Sequence, residues 1–136
     1  MEAASSVAAV EERFGDEFQF VFVYLREAHP TDGWVVPDYN QLEDPATLEE
    51  RSACAADAGA ELAFGFPIVV DTMDDRIAVR WSAAPERLFV IGKGGRVIYT
   101  GSAGPFGFRP GGDYVALAGN RGLSLETFLA AWSERR

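Results

Sequence analysis

Phe18–Leu25 reads FQFVFVYL and passes directly into Arg26-Glu27-Ala28-His29-Pro30-Thr31-Asp32-Gly33-Trp34. Apart from Gln19, the first eight residues are aromatic, β-branched or leucine. A short continuous apolar run of this kind argues for a strand buried on both faces, as in a parallel sheet. The C-terminal ends of parallel strands face the ligand side of an α/β fold. His29, the only histidine in the chain, falls at such an end. A histidine there can pass protons near neutral pH. It could equally pin the loop through a bond to a carboxylate or a carbonyl.

On the N-terminal side of this run, Ser5 or Ser6 can cap a helix through Ala8, Glu11, Arg13 and Phe14, ended by Gly15. On the C-terminal side, Pro30, Gly33, Pro37 and Pro45 mark a loop from His29 to Pro45. Thr47-Leu48-Glu49-Glu50 is a capping box, which predicts a helix to about Ala58 that stops near Gly59. Pro67-Ile68-Val69-Val70-Asp71 reads as a second buried strand. Asp74 or Asp75 can cap a short helix through Arg80 and Trp81. Arg87–Ile91 and Arg96–Thr100 flank Gly92-Lys93-Gly94-Gly95, the pattern of a β-hairpin. After a glycine-rich loop, Ser124 caps a last amphipathic helix bearing Leu125, Phe128, Leu129 and Trp132. No repeat or composition shift divides the chain, so one domain over residues 1–136 is expected.

Buried strands separated by helices point to an α/β layered fold. The closing strand–hairpin–helix pattern, with Pro85 ahead of the first hairpin strand, resembles the C-terminal half of a thioredoxin fold. The expected class is therefore α/β, thioredoxin-like, with a mixed central sheet flanked by helices. In that fold the proline is usually cis and lies beside the redox centre. A trans proline opening a strand is the plain alternative.

Composition sets further bounds. The 136 residues carry 21 acidic and 12 basic side chains, a formal net charge of −9. Nucleic acid and anionic membranes both require a basic surface, so neither is expected as a partner. Met1–Val10 lacks the positive charge and apolar core of a signal peptide. The longest apolar run, Phe20–Leu25, is far too short to span a bilayer, and a cytoplasmic setting is expected. Cys54 is the only cysteine, which leaves no intramolecular disulfide and no Cys-x-x-Cys pair. It lies within the capped helix, where a buried inert thiol is the expectation. Asp71, Asp74 and Asp75 invite a metal reading. Helix capping by Asp74 or Asp75 is the simpler role, and no metal site is expected. The two glycine-rich segments lack phosphate-loop spacing and read as turns.

Val23–Trp34 (VYLREAHPTDGW) closely resembles the signature of the iodothyronine deiodinase family, a strand running into Glu-Ala-His-x-x-Asp-Gly-Trp. Leu48-Glu49-Glu50-Arg51, Pro67–Asp74, Glu86–Ile91 and Gly101–Phe108 resemble further blocks of that family, in the same order. The resemblance covers about Phe18 to Phe108. It implies reductive removal of halogen from an aromatic ring by a selenocysteine or cysteine, with an external thiol reductant and no bound cofactor. By this match Glu27 and His29 are the catalytic candidates, with Trp34 and Pro85 lining the substrate pocket. Trp34 could also simply be packed. The partners implied are a small molecule, such as a halogenated aromatic, and the thiol reductant; a dimer is compatible with the pattern.

The family's nucleophile sits on the loop between the first strand and first helix of the fold, and Met1 falls at or just after that motif. The expectation is a truncated reading frame, with an upstream in-frame UGA for selenocysteine read as a stop. The strand lost this way is expected to lie between Phe18–Leu25 and Pro67–Asp71. Two departures concern the substrate. The arginine of the family's Gly-x-x-Gly-Pro loop is matched by Ala103. A second histidine has no counterpart near Tyr39, Asn40 and Gln41. Thyroid hormone is thus a poor guess. Three functions remain open: a deiodinase-like selenol or thiol oxidoreductase, a non-catalytic thioredoxin-fold binding module, and a structural subunit that pairs through a sheet edge.

Overall fold

The computed structural model describes residues 2–37, 42–105, 107–112 and 122–135. The sequence readings at Met1, Tyr39, Asn40, Gln41 and Phe106 lie outside them. In chain order the elements are α1 (Glu2–Phe14), β1 (Phe22–Tyr24), α2 (Leu48–Glu61), β2 (Ile68–Val70), α3 (Arg76–Trp81), β3 (Phe89–Ile91), β4 (Val97–Thr100) and α4 (Leu125–Glu134). The content is mixed helix and strand with two small sheets, an α/β arrangement. Two compact units hold it: Val21–Pro85, and Met1–Phe20 with Glu86–Arg136.

In the Val21–Pro85 unit, β1 and β2 pair directly in parallel, with Phe22 opposite Ile68, Val23 opposite Val69 and Tyr24 opposite Val70. Backbone bonds from Phe22 N to Pro67 O (3.0 Å) and from Asp71 N to Tyr24 O (2.9 Å) bracket the ladder. This corrects the expectation of a strand between them: their facing groups satisfy one another. Both strands are also shorter than expected, and neither is buried on both faces. Val21 is 50% exposed and Val69 44%, while Tyr24 is buried.

The capping box forms as read. Thr47 Oγ1 accepts from Glu50 N at 3.2 Å, and the Glu50 carboxylate accepts from Thr47 N at 3.2 Å and Ala46 N at 2.8 Å. The helix continues past Gly59 to Glu61. Gly59 is not a stop but a contact point: a Cβ there would overlap the Ile68 side chain. Its absence lets α2 lie close on β2. The buried face of α2 is Arg51, Ala55 and Gly59, one residue per turn.

The cap of α3 differs from the sequence reading. Asp75 occupies the N-cap position in a left-handed conformation (φ 54°) and makes no side-chain cap bond. Asp71, wholly buried, does the capping instead. Its carboxylate accepts from Thr72 N (2.8 Å), Ile77 N (2.9 Å) and Ala78 N (2.9 Å). The unit ends at Ala84–Pro85, whose peptide bond is cis as expected; Gly104–Pro105 is cis as well.

In the other unit, α1 begins at Glu2, so Ser5 and Ser6 lie inside the helix rather than capping it. The hairpin forms as read: β3 and β4 are antiparallel, with Phe89 opposite Thr100 and a register shift at Val90/Ile91. Gly95 (φ +77°) supplies the left-handed turn residue. Ser124 caps α4, its hydroxyl accepting from Thr127 N at 3.1 Å. Val10 and Phe14 of α1, Val90 of β3, and Leu125 and Leu129 of α4 form the buried core. No helix among the described residues is long and apolar enough to cross a membrane.

Candidate functional site

The segment leaving β1 is held from its base upward. Thr31 N bonds Leu42 O (2.8 Å), and Asp44 N bonds Asp32 Oδ1 (2.8 Å). Asp32 of the motif is thus a loop pin. Arg26 reaches Asp44 (3.2 Å) and Asp75 (3.3 Å). Asp75 also meets Arg51 at 3.2 Å. Arg51, wholly buried, donates to Thr72 O (2.7 Å) and Asp71 O (3.4 Å). Two arginines therefore tie together the end of β1, the approach to α2 and the β2–α3 turn.

On this base stand the sequence candidates. The buried phenol of Tyr24 donates to Glu27 Oε1, which fixes one carboxylate oxygen at the strand end. Glu27 and His29 are both half-buried. His29 Nδ1 lies 3.1 Å from Trp34 O. A carbonyl only accepts, so this contact places the proton on Nδ1 and makes Nε2 the nitrogen able to take one. The His29 and Trp34 rings meet edge to face, 4.8 Å between centroids and 76° between planes. Trp34 is otherwise open, 78% exposed. Pro85 is also exposed.

Tyr24 and Arg51 are the residues the sequence reading passed over. Tyr24 precedes Glu27 by three positions at a strand end, a spacing with no fixed meaning outside a helix. Arg51 carried a signal in hindsight: it shares a four-residue spacing with Ala55 and Gly59, which marks one helix face.

Five of the described titratable groups are shifted: Asp71, Cys54 and Glu86, together with Asp74, lowered chiefly by a side-chain hydrogen bond from Thr72, and Tyr99, raised by burial. The Asp71 carboxyl is pushed up by burial, but amides of Ala78, Ile77 and Thr72, and then Arg51, outweigh this and hold it below the ordinary carboxylate range. The Cys54 thiol is pushed up by burial and then by the carboxylates of Glu27, Asp57 and Glu50. Glu86, which opens the other unit, is pushed up by burial. Among the described residues no group of three or more His, Cys, Asp or Glu side chains is placed to hold a metal ion.

Only the thiolate of a cysteine is nucleophilic, so these surroundings make Cys54 a poor redox centre. Alkylation of the native chain by iodoacetamide at pH 7.5 is expected to run at least about tenfold slower than that of free cysteine. A rate equal to free cysteine would show an activated thiol.

The sequence profile of the iodothyronine deiodinase family matches residues 4–114. A type I iodothyronine deiodinase of Xenopus laevis is 33% identical over 97 residues, which is 71% of this chain and 38% of that protein. A thyroxine 5-deiodinase of Sparus aurata is 39% identical over 101 residues, 74% of this chain and 37% of that protein. A human thyroxine 5-deiodinase is 35% identical over 98 residues, 71% and 32% respectively. The chain spans less than two fifths of the length of each of these relatives. With the signature at Glu27–Trp34 built around an oriented carboxylate and a histidine of defined tautomer, and with the family profile running across most of its length, the chain belongs to the iodothyronine deiodinase family.

Proposed function

We propose that the chain serves reductive dehalogenation of an aromatic ring on a thioredoxin-like α/β scaffold. Glu27 and His29 handle the proton, and Trp34 and Pro85 contact the substrate. Replacing iodine by hydrogen requires the ring carbon to gain a proton and the reaction to receive two electrons. With thiols as the source the balance is Ar–I + 2 RSH → Ar–H + RSSR + HI. The observation that carries this reading is the strand-end arrangement: Tyr24 orients Glu27, and the Trp34 carbonyl sets the His29 tautomer. An Nε2 able to accept a proton can take it from a thiol or phenol and return it to a ring carbon. The helix–strand order and the hairpin that follows Pro85 support the thioredoxin-like assignment.

Cys54 does not act as the nucleophile in this reading; the reducing thiol or selenol is a separate group. The test is iodide release from an ortho-iodinated phenol with dithiothreitol, compared with dithiothreitol alone. Release above that background, unchanged in Cys54→Ser, is expected. Loss of release in Cys54→Ser would overturn the assignment of Cys54. The raised Cys54 thiol favours a second reading, a binding module without its own redox chemistry. Retained binding of the iodophenol with no release above background would select it.

A further inference from the structure

The negative charge of this protein is not spread evenly. Among the described residues between Glu27 and Glu61 there are eight acidic residues against one basic residue, Arg51, a net −7 with His29 neutral. The whole chain carries −9. Arg51 is wholly buried and engaged by Thr72 O, Asp71 O and Asp75. It therefore presents no charge to a ligand. Arg26, just before this stretch, is bonded to Asp44 and Asp75. The segment carrying His29 and Trp34 thus combines a strong negative field with exposed apolar groups: Trp34 (78%), Val35 (50%), Leu42 (45%) and Leu48 (51%). The thiol of Cys54, on the helix of the same segment, feels that field through Glu27, Asp57 and Glu50.

Resting on the dehalogenation reading above, we propose that this site selects aromatic substrates by charge, taking neutral or cationic halogenated phenols and rejecting those with a carboxylate tail. The acids bind nothing in this account. An apolar ring lies on Trp34 beside His29, and the surrounding field acts on whatever charge the ring carries. Like charges held near one another without a counter-ion repel, and exposed charges do so over roughly 10 Å at 0.1 M salt. A substrate bearing a carboxylate needs a cation to meet it, and the arginines nearest the motif are already engaged by carboxylates.

The test uses the whole chain and two probes with the same ring, 3-iodotyramine and 3-(4-hydroxy-3-iodophenyl)propanoate. Binding is measured by calorimetry at 20 mM and 500 mM salt. The amine is expected to bind at least about tenfold more tightly at low salt, with the gap closing to about threefold or less at high salt. Reversing two exposed charges outside the proton-handling pair, in Glu43→Lys/Asp57→Lys, is expected to tighten carboxylate binding at least about threefold at low salt. A thermal melt confirms that the variant folds. Equal binding of the two probes, tighter binding of the carboxylate, or a gap unmoved by salt in the parent chain overturns the charge selection and leaves the dehalogenation reading standing. Binding of neither probe at either salt overturns both.

Discussion

Asp71→Ala is expected to lower the stability of the Val21–Pro85 unit by about 3–5 kcal/mol, a large part of the roughly 5–15 kcal/mol that holds a domain together. The wholly buried carboxylate caps α3 through Ile77 N and Ala78 N and closes the β2–α3 turn through Thr72 N. Alanine leaves those amides without an acceptor. It also removes the negative charge beside Arg51, whose Nε and Nη2 already have no hydrogen-bond partner. Each orphaned buried group costs about 1–3 kcal/mol. Urea unfolding followed by circular dichroism measures the loss; a midpoint within error of the parent would show that the cap contributes nothing.

The same carboxylate gives a pH signature. Its pKa is lower in the folded state, so the unfolded chain binds more protons in acid. The stabilisation is complete above the unfolded value, about 3.9, and is lost as pH falls through the folded value. The parent should therefore lose stability below about pH 4. Asp71→Asn, with no carboxylate to protonate, should be less stable at neutral pH and show a flatter acid limb. An acid limb of unchanged slope in the variant would assign the pH dependence to other carboxylates.

His29→Ala is expected to reduce thiol-dependent iodide release by about 10²–10⁴-fold, the usual contribution of a positioned general acid or base. Half-buried, and held by a bond to the Trp34 carbonyl in its own loop, His29 contributes little to packing, so the melting temperature should stay within a few degrees. Tyr24→Phe separates orientation from proton transfer. It keeps the ring in place and removes the bond to Glu27 Oε1, so kcat should fall while binding of the iodophenol is retained. If His29→Ala released iodide at a rate within about threefold of the parent, proton transfer would have to be assigned elsewhere.

Much of the site was legible because its signals are local. Glu27, His29, Asp32 and Trp34 stand within eight residues, and the chain between them has little freedom to separate them. By sequence His29 fits either a proton carrier or a loop pin through a carbonyl, and the Trp34 carbonyl supplies the second arrangement without excluding the first. Asp32 read only as a motif residue; its bond to Asp44 N spans twelve positions and depends on how the loop closes. By sequence Trp34 fits either a packed side chain or a pocket wall. At 78% exposure it is neither wholly packed nor enclosed within its own unit.

The sequence by itself determined whatever is settled within a few residues. Thr47 with Glu50 and Ser124 with Thr127 formed their caps, and the glycines after Ile91 formed the hairpin turn, because donor and acceptor are neighbours along the chain. The capping of α3 and the burial of charge depended on tertiary structure. Asp75 stands at the N-cap of α3, yet its left-handed backbone leaves the amides to Asp71, which the β1–β2 ladder carries into place. Arg51 became buried because α2 packs on β2 through Gly59 and brings the guanidinium to the carbonyls of Asp71 and Thr72. The direct pairing of β1 with β2 was likewise decided by tertiary structure, since either strand could have paired with any other free edge. Pairing between edges distant in sequence is chosen by the packing of the elements around them, which no short stretch of sequence encodes.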